Sequence, residues 1–156
     1  MTTFGALTKL NLGCGYRKIE GFVNIDNRAE VEPDLVCDVI DGLPFDDDSI
    51  DMVLAQDFLE HVPIGKTVQV IEEIYRVLKH GGTLESLTPS TDGRGAFQDF
   101  THVSWWNRNS WLYFMIDEYR DLYGIEAKFE GQIRDIVTND ALHIIHTHAA
   151  LKAVKE

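Results

Sequence analysis

The sequence predicts an α/β domain with a parallel core and a closing antiparallel hairpin. Short apolar runs bounded by glycine, proline or aspartate alternate with amphipathic stretches, an alternation typical of buried strands and their covering helices. Two longer strand-like runs follow near the C-terminal end. With 156 residues, 44% of them hydrophobic, the chain has the size and composition of one domain with its own core. We therefore expect residues 1–156 to form a single domain.

Five short strands are predicted before the hairpin, each closing at a residue type that stops a buried strand. Glycine and proline end a strand by their backbone geometry, and aspartate favours a turn. The runs are Lys9 to Cys14, Phe22 to Asn27, Asp34 to Val39, Ile50 to Ala55 and Thr83 to Leu87.

Two helices and the hairpin complete the prediction. From Gly65 to His80 apolar residues recur at helical spacing with charges opposite, and the pair Gly81-Gly82 is expected to stop this helix. A second helix is predicted over Asn109 to Arg120, where large apolar side chains share one face. The hairpin strands run from Ala127 to Thr138 and from Leu142 to Val154, with Asn139-Asp140 as their turn.

The charge balance restricts the classes of partner. Asp and Glu count 26 against 14 Lys and Arg, so the net charge is −12. Such a chain is a poor general binder of nucleic acid or of anionic membranes, both of which need clustered cations. The sequence contains neither an apolar run of about 18 residues nor a signal-peptide pattern. With Cys14 and Cys37 read as free buried thiols, a cytoplasmic location is expected.

Polar residues and glycines follow the first three predicted strands, where ligands bind in open α/β sheets. The turn Asn11-Leu12-Gly13-Cys14-Gly15 lets a ligand approach the backbone closely. Asp26 ends the second strand and is suited to a pair of ribose hydroxyls, and Asp38 ends the third, where it can accept from an exocyclic amine. Taken singly, each acid is equally explained as a surface residue or a helix cap. Together they favour a nucleoside ligand.

At this point the chain resembles a known family, the class I S-adenosylmethionine-dependent methyltransferases. Leu10 to Gly15 looks like the family's first motif, Asp26 matches its ribose acid, and Cys37-Asp38-Val39 matches its adenine-side motif. Three more segments are similar to the family's "LPF…SFD", "LEH" and "RVLKPGGxL" signatures: Leu43 to Val53, Leu59-Glu60-His61-Val62 and Ile74 to Leu84. The resemblance is to small, minimal-core members, the type-11 methyltransferase-domain group.

The resemblance implies a Rossmann-like three-layer sandwich around a mostly parallel seven-stranded sheet. One departure alters that expectation: only ten residues lie between Gly15 and Asp26, too few for the family's full first helix. Arg17 also replaces the third glycine, and His80 replaces a common proline. We therefore expect the first helix to be reduced to a loop or turn, which exposes the cofactor more or creates a surface for another subunit.

The resemblance also implies the ligand and its binding residues. S-adenosylmethionine would be the cofactor and S-adenosylhomocysteine the product, with a small molecule as the expected methyl acceptor. The residues implied are Asn11, Leu12, Gly13, Cys14, Gly15, Asp26, Asn27, Cys37, Asp38, Val39, Gln56, Asp57, Phe58 and His61.

Two alternatives to a methyltransferase are considered. One is a cofactor-binding or regulatory module without catalysis, suggested by the reduced helix and the lost glycine. The other, a nicotinamide-dinucleotide enzyme, is disfavoured because G-x-G-x-x-G is missing and the acid follows the glycines too soon.

Histidines are the candidate catalytic bases, since imidazole titrates near neutral pH. His102 is preferred and His61 is the second choice; the alternative is that both only orient loops. His102 lies in Gln98-Asp99-Phe100-Thr101-His102, which is similar to a "DPTH" element of some small family members, with Phe100 in place of proline. The pair His146 and His148 shares a strand face, but no third ligand accompanies it. No metal is therefore predicted.

The segment 97–114 holds seven of the sixteen aromatic residues. It follows the fifth strand, where this architecture places elements that cover the substrate. It is interpreted either as a lid or substrate platform, or as core and a dimer surface. A homodimer through this segment or through the reduced-helix face is the expected protein contact.

Overall fold

The computed structural model describes residues 6–156 and shows one seven-stranded mixed sheet. The strand order is β3-β2-β1-β4-β5-β7-β6, with β1 to β5 parallel and β7 antiparallel to both neighbours. This confirms the predicted Rossmann-like α/β sandwich with its C-terminal hairpin. The strands are β1 (Lys9–Leu12), β2 (Val23–Asp26), β3 (Leu35–Val36), β4 (Ile50–Gln56), β5 (Leu78–Pro89), β6 (Phe129–Asn139) and β7 (Ile144–Ala153).

Between β1 and β2 the chain forms turns in place of the first helix, as the spacing predicted. Two buried asparagines hold this segment. The Asn11 amide donates to the Arg17 carbonyl and to the Asn24 side chain, both at 2.9 Å. The Asn24 oxygen also accepts from the Ile19 amide at 2.8 Å. Side-chain hydrogen bonds therefore satisfy backbone polar groups in this segment, as the backbone hydrogen bonds of a helix do in a longer crossover.

Helix α1 (Thr67–Val77) is shorter than predicted, and the glycine stop at its end was wrong. The helix ends because Leu78 takes an extended conformation and pairs with Ile50 in the sheet. Gly81 and Gly82 instead form an irregularity within β5. Gly81 has φ +76°, and a Cβ on Gly82 would lie 2.9 Å from the Lys79 carbonyl oxygen.

The second predicted helix is broken into two pieces. A 3₁₀ helix spans Arg108–Phe114 and begins with a capping box between Asn107 and Ser110. Helix α3 (Asp117–Tyr123) follows, and a single turn, α2 (Gly95–Gln98), precedes both. The break lets Trp111 and Phe114 enter the core while α3 stays at the surface. A continuous helix would have directed one face only.

The aromatic segment 97–114 divides between core and surface. Trp106, Trp111 and Phe114 are buried and stack in sequence, with ring centroids 5.3 Å and 6.0 Å apart. Phe97 and Phe100 are exposed to solvent. The core interpretation is therefore correct for part of the segment, and the exposed rings stay available for contacts.

The two faces of the sheet differ in cover. One face carries Leu10, Val53, Leu84 and Leu151, which are fully buried in the same core as the apolar side of α1. The opposite face is half-exposed around β4 to β7. It carries Met52, Leu54, Leu87 and Ile136 together with Glu85, Arg134 and His148.

The hairpin turn is longer than predicted. Strands β6 and β7 are joined by residues 140–143, and the Asn139 side chain accepts from the Leu142 amide at 3.0 Å. His143 takes a left-handed conformation with φ +53°. In the part of the chain that the structure describes, no helix has the length and apolar character needed to cross a membrane.

Candidate functional site

A cavity of about 750 Å³ opens at the carboxyl ends of β1, β2 and β4. This is the size and position expected of a small-molecule site in an α/β sheet. Most of the residues implied by the sequence line it: Gly13, Cys14, Gly15, Asp26, Asn27, Cys37, Asp38, Val39, Asp57, Phe58 and His61.

The remaining three residues lie outside this cavity. Leu12 is fully buried in the core, and the Asn11 side-chain amide donates its hydrogen bonds to Arg17 and Asn24. Gln56 lies on the half-exposed sheet face, beside a smaller cavity that Glu85 and His148 also line. In a strand, alternate side chains face opposite ways, so neighbouring positions of one motif cannot all reach one ligand.

The glycine turn after β1 forms one wall of the cavity. Gly13 and Gly15 have φ values of +60° and +51°. A Cβ on Gly13 would lie 2.5 Å from Phe58 Cδ2, so the turn packs directly on the segment that follows β4. Cys14 lies between the two glycines and donates its amide to the Ile25 carbonyl at 2.9 Å. Burial raises the pKa of its thiol, which fits the predicted free buried thiol, whereas Cys37 is only partly buried.

Asp26, at the end of β2, is the best-held acid of the site. Its side chain is 6% exposed. The Gly15 amide donates to Oδ2 at 2.8 Å, and the backbone and side chain of Arg28 donate to Oδ1 at 2.9 Å and 3.2 Å. Burial pushes the pKa of Asp26 up, but the hydrogen bonds from Arg28 and Gly15 outweigh it and the pKa is lowered. Asp26 therefore stays ionised, and Oδ2 keeps a lone pair for a ligand hydroxyl.

Asp38 caps a local 3₁₀ helix. Its Oδ1 accepts from the Ile40 amide at 3.0 Å, at the start of the helix Val39–Asp41. The helix-cap reading considered from the sequence is therefore correct for this oxygen. Cap and ligand contact do not exclude each other, because Asp38, Val39 and Ile40 all line the cavity.

Asp57, just past β4, joins two distant parts of the chain. Its Oδ1 lies 2.9 Å from His146 Nε2, and its Oδ2 lies 3.2 Å from Arg17 Nη2. Burial alone would raise the pKa of Asp57. The hydrogen bonds and charges of His146 and Arg17 together outweigh this effect, so the pKa of Asp57 is lowered. Arg17, at the position of the third glycine in the resembled motif, thus lines the cavity in an ion pair with Asp57.

The paired histidines of β7 contact separate carboxylates. His146 lies against Asp57, whereas His148 Nε2 lies 2.6 Å from Glu85. Across the strand, the Arg134 side chain donates to His148 Nδ1 at 3.2 Å. Both rings therefore have polar partners on the sheet face.

The two candidate bases lie side by side at the far end of the cavity. The rings of His61 and His102 meet edge to face, with centroids 5.1 Å apart. His61 lines the cavity with its side chain 40% exposed. His102 lies behind it, 7% exposed, and its Nδ1 is 3.0 Å from the Ala96 carbonyl. Geometry therefore favours His61, the second choice of the sequence, for contact with a substrate.

Glu60 is the group that sequence reasoning missed. It precedes His61 in the 3₁₀ helix Leu59–His61. The side chain is 2% exposed, and neither carboxylate oxygen has a hydrogen-bond partner among residues 6–156. Burial raises its pKa to about 8. The signal was present in the sequence as an acid inside the "LEH" segment, but that segment was weighed only for its histidine.

Comparison with known proteins confirms the resemblance. Residues 18–85 match the profile of a methyltransferase domain family. A chain of the Haloferax volcanii complex between the Trm112 methyltransferase activator and a proposed methyltransferase superposes with a TM-score of 0.70 at 18% identity, covering 96% of this chain and 84% of that one. No curated protein sequence matches the chain.

Two further solved structures share the fold. An S-adenosylmethionine-dependent methyltransferase from Archaeoglobus fulgidus has a TM-score of 0.66 at 15% identity, covering 96% of this chain and 86% of the other. The 1,6-didemethyltoxoflavin-N1-methyltransferase of Burkholderia thailandensis, solved with S-adenosylhomocysteine, has a TM-score of 0.65 at 12% identity, covering 95% and 71%.

The fold is that of a Rossmann-like α/β protein, and its cavity opens at the carboxyl ends of β1, β2 and β4. More particularly, the chain shares its fold with solved S-adenosylmethionine-dependent methyltransferases, and its residues 18–85 match the model of a methyltransferase domain.

Proposed function

We propose that the protein is an S-adenosylmethionine-dependent methyltransferase acting on a small-molecule acceptor. The single observation that carries this proposal is the cavity in which the glycine turn and the ionised Asp26 face one another. The family match at residues 18–85 supports methyl transfer and the cofactor.

The residues present fit this cofactor. Gly13 packs directly against Phe58, with no room for a side chain, and Gly13, Cys14 and Gly15 together bring the backbone to the cavity wall. Asp26 would accept from the ribose hydroxyls, and Asp38 with Val39 would hold the adenine. Phe58 would wall the methionine end. When bound, S-adenosylmethionine supplies an activated methyl group for in-line displacement, a reaction helped mainly by proximity and orientation.

His61 is the proposed general base for the acceptor's proton. Its Nδ1 lies 3.3 Å from the Thr101 carbonyl, so an Nδ1–H tautomer would leave the Nε2 lone pair free to accept a proton. His102 would orient His61 through their ring contact. Turnover by His61→Gln and His102→Gln separates these roles. We expect the first to lower kcat and abolish its pH dependence, while the second keeps a pH profile of the same shape.

A small acceptor is supported by enclosure and charge. The cavity is lined on several sides by loops, and the ionised Asp57 and Asp99 lie near His61. With the net charge of −12, these acids disfavour a nucleic-acid acceptor.

Calorimetric titration with S-adenosylhomocysteine tests the cofactor proposal. We expect saturable binding. It should weaken at least tenfold in Asp26→Ala and also in Asp26→Asn, which keeps the side-chain shape but removes the charge. The matched control is Asp121→Ala, which removes an acid from the exposed surface of α3 and should bind like the parent protein. Failure to bind at millimolar ligand, or equal binding by the Asp26 variants, would overturn the proposal.

The same protein separates an enzyme from a binding module. We expect S-adenosylhomocysteine to accumulate when S-adenosylmethionine is mixed with a pool of small acceptors. Tight cofactor binding without any turnover would instead support the non-catalytic alternative.

A protein contact is proposed for the half-exposed sheet face. Met52, Leu54 and Leu87 lie there half-buried, and the exposed Phe97 and Phe100 of the segment 97–114 are the other candidate for the predicted homodimer contact. The Haloferax volcanii neighbour was solved in complex with an activator protein, which supports a protein partner. Sedimentation of the purified chain tests the homodimer: we expect a species near twice 17.7 kDa. A monomer at all concentrations would contradict it.

A further inference from the structure

The cluster at the far end of the cavity has a composition that methyl transfer alone does not require. Glu60, His61 and His102 each offer one ligand atom, and these atoms lie within 4.8 Å of one another. Two of the three residues come from the segment after β4, and the third comes from the loop after α2. The fold therefore brings the His102 imidazole to the adjacent Glu60 and His61, which lie about forty residues earlier in the sequence.

Glu60 is the unusual member, because a buried carboxylate without hydrogen bonds is costly. Its side chain is 2% exposed and both of its oxygens are unpartnered in the part of the chain that the structure describes. His61 Nε2 lies 4.0 Å from Glu60 Oε1, which is within ion-pair range when the imidazole is protonated. This distance is too long for a hydrogen bond. Among residues 6–156 the Glu60 carboxylate therefore lies beside His61 without a hydrogen bond to it.

Both histidines are held in the way that metal-ligating histidines usually are. A ligating imidazole typically donates its other ring N–H to a backbone carbonyl or a carboxylate. His102 Nδ1 lies 3.0 Å from the Ala96 carbonyl, and His61 Nδ1 lies 3.3 Å from the Thr101 carbonyl. Donation from each Nδ1 would leave both Nε2 lone pairs free to bind a cation.

We propose that Glu60, His61 and His102 form a binding site for a divalent transition-metal ion. Two imidazole nitrogens and one carboxylate oxygen suit Zn²⁺, Co²⁺ or Fe²⁺ better than Mg²⁺ or Ca²⁺, which favour oxygen ligands. Zinc–ligand bonds of about 2.0–2.2 Å place neighbouring ligands about 3.3 Å apart, so the cluster contracts modestly when it binds. Three protein ligands leave at least one coordination position open.

Asp99 gives the cluster a further acid. Its Oδ2 lies 3.6 Å from His102 Nε2, while its Oδ1 accepts from the Thr101 amide and hydroxyl at 2.8 Å and 2.7 Å. These bonds fix Asp99 beside the cluster, where its charge favours a cation. The competing explanation is that His102 merely shares a proton with Asp99 and that Glu60 is buried in its neutral form. That arrangement binds no metal.

The site does not depend on the proposed methyl transfer, because its test needs neither cofactor nor acceptor. A metal on His61 would occupy the same Nε2 lone pair that a general base uses. His61 therefore serves one role or the other at a given moment, and the metal-free and metal-loaded proteins are to be compared separately.

Cobalt absorption and zinc calorimetry on the chelator-treated chain test the proposal. We expect one Co²⁺ per chain with visible absorption bands of a low-coordinate site, displaced by equimolar Zn²⁺. Binding should weaken at least a hundredfold in Glu60→Gln and in His102→Gln, with circular dichroism showing that both fold. Mg²⁺ should not compete.

His143→Asn is the matched control. His143 is exposed on the hairpin turn with φ +53°, a conformation that asparagine adopts readily, so the variant removes a histidine without strain. It should bind cobalt like the parent protein. Lack of saturable binding by the parent protein overturns the proposal. So does loss of binding in His143→Asn, or retained binding in both ligand variants. If a ligand variant does not fold, the parent's stoichiometry and its cobalt spectrum decide.

Discussion

Two buried carboxylates, Asp26 in the cavity wall and Glu60 next to the cavity-lining His61, are held in contrasting ways. Asp26 is 6% exposed and receives three hydrogen bonds, one from the Gly15 amide and two from Arg28. Glu60 is 2% exposed and receives none from the residues that the structure describes. Their pKa values accordingly move in opposite directions, downward for Asp26 and upward to about 8 for Glu60. Similar burial therefore says little about charge until the partners are counted.

The contrast distinguishes a preformed anionic site at Asp26 from a carboxylate at Glu60 whose hydrogen bonds are incomplete. At Asp26, backbone amides and a guanidinium already stabilise the anion, so a ligand finds the charge in place. At Glu60, a buried acid lies beside two histidines without a hydrogen bond to either. Carboxylate-to-amide substitutions test this difference, because the same chemical change should have unlike effects at the two carboxylates.

The largest effect is expected for Asp26→Asn. The new amide would set its NH₂ against either the Gly15 amide or the Arg28 amide, so a donor faces a donor and a charge-assisted bond is lost. We expect the free energy of unfolding to fall by about 2–3 kcal/mol, measured by urea denaturation at neutral pH. An unchanged midpoint would mean that these hydrogen bonds do not hold Asp26.

The pH dependence of stability follows from the same carboxylate. Because the folded pKa of Asp26 lies below its unfolded value, its contribution is fully present above the unfolded pKa of about 3.9. That contribution is lost as the pH falls through the folded pKa. Urea midpoints between neutral pH and the acid range should therefore fall less steeply in Asp26→Asn than in the parent protein. Parallel profiles would contradict this.

The glycine turn in the cavity wall is tested by Gly13→Ala. The added Cβ would lie 2.5 Å from Phe58 Cδ2 at a φ of +60°, so both a clash and a backbone penalty apply. We expect a loss of about 2 kcal/mol in unfolding free energy. Gly21→Ala is the matched control: its φ is +84° but no heavy atom lies within 4 Å, so only the backbone penalty of about 1 kcal/mol remains. Equal losses would show that Phe58 yields freely.

The Asp26 site could be predicted from the sequence and the Glu60 cluster could not. Asp26 follows a short apolar run and the glycine turn, and local order alone places such residues at one sheet edge. The cluster of Glu60, His61 and His102 depends on a contact across about forty residues. Only the folded chain shows that Ser104 donates its backbone amide to the Glu60 carbonyl and its hydroxyl to the Leu59 carbonyl. These two hydrogen bonds bring the two loops together.

Element boundaries failed where tertiary pairing outweighed local signals. The pair Gly81-Gly82 looks like a helix stop, but Leu78 had already left the helix to pair with Ile50. The apolar face of residues 109–120 looks like one helix, but burial of Trp111 required a break before α3. The periodicity of apolar residues predicts which side chains are buried. Tertiary packing then determines the backbone conformation that buries them.

A smaller effect is expected for Arg28→Ala. Arg28 is 53% exposed, so solvent screens its ion pair with Asp26. The backbone bonds from Gly15 and Arg28 remain after the substitution. We expect unfolding free energy to fall by less than about 1 kcal/mol, with the pKa of Asp26 moving upward in an NMR titration. A loss as large as that of Asp26→Asn would place the holding force in the guanidinium instead.

The smallest effect is expected for Glu60→Gln in the metal-free protein. Neither oxygen of Glu60 accepts a hydrogen bond from any described residue, so the substitution removes none. Folding also raises the pKa of Glu60, which costs stability at neutral pH, and a neutral glutamine does not carry this cost. We therefore expect the free energy of unfolding not to fall by more than about 1 kcal/mol, and to rise rather than fall. Glu72→Gln is the matched control, because the Glu72 carboxylate accepts from the Glu126 amide at 2.7 Å and from the Ala127 amide at 3.0 Å. It should cost more than Glu60→Gln in the same urea titration. If Glu60→Gln were the costlier of the two, Glu60 would have a partner in solution, and the distinction between the two carboxylates would fail.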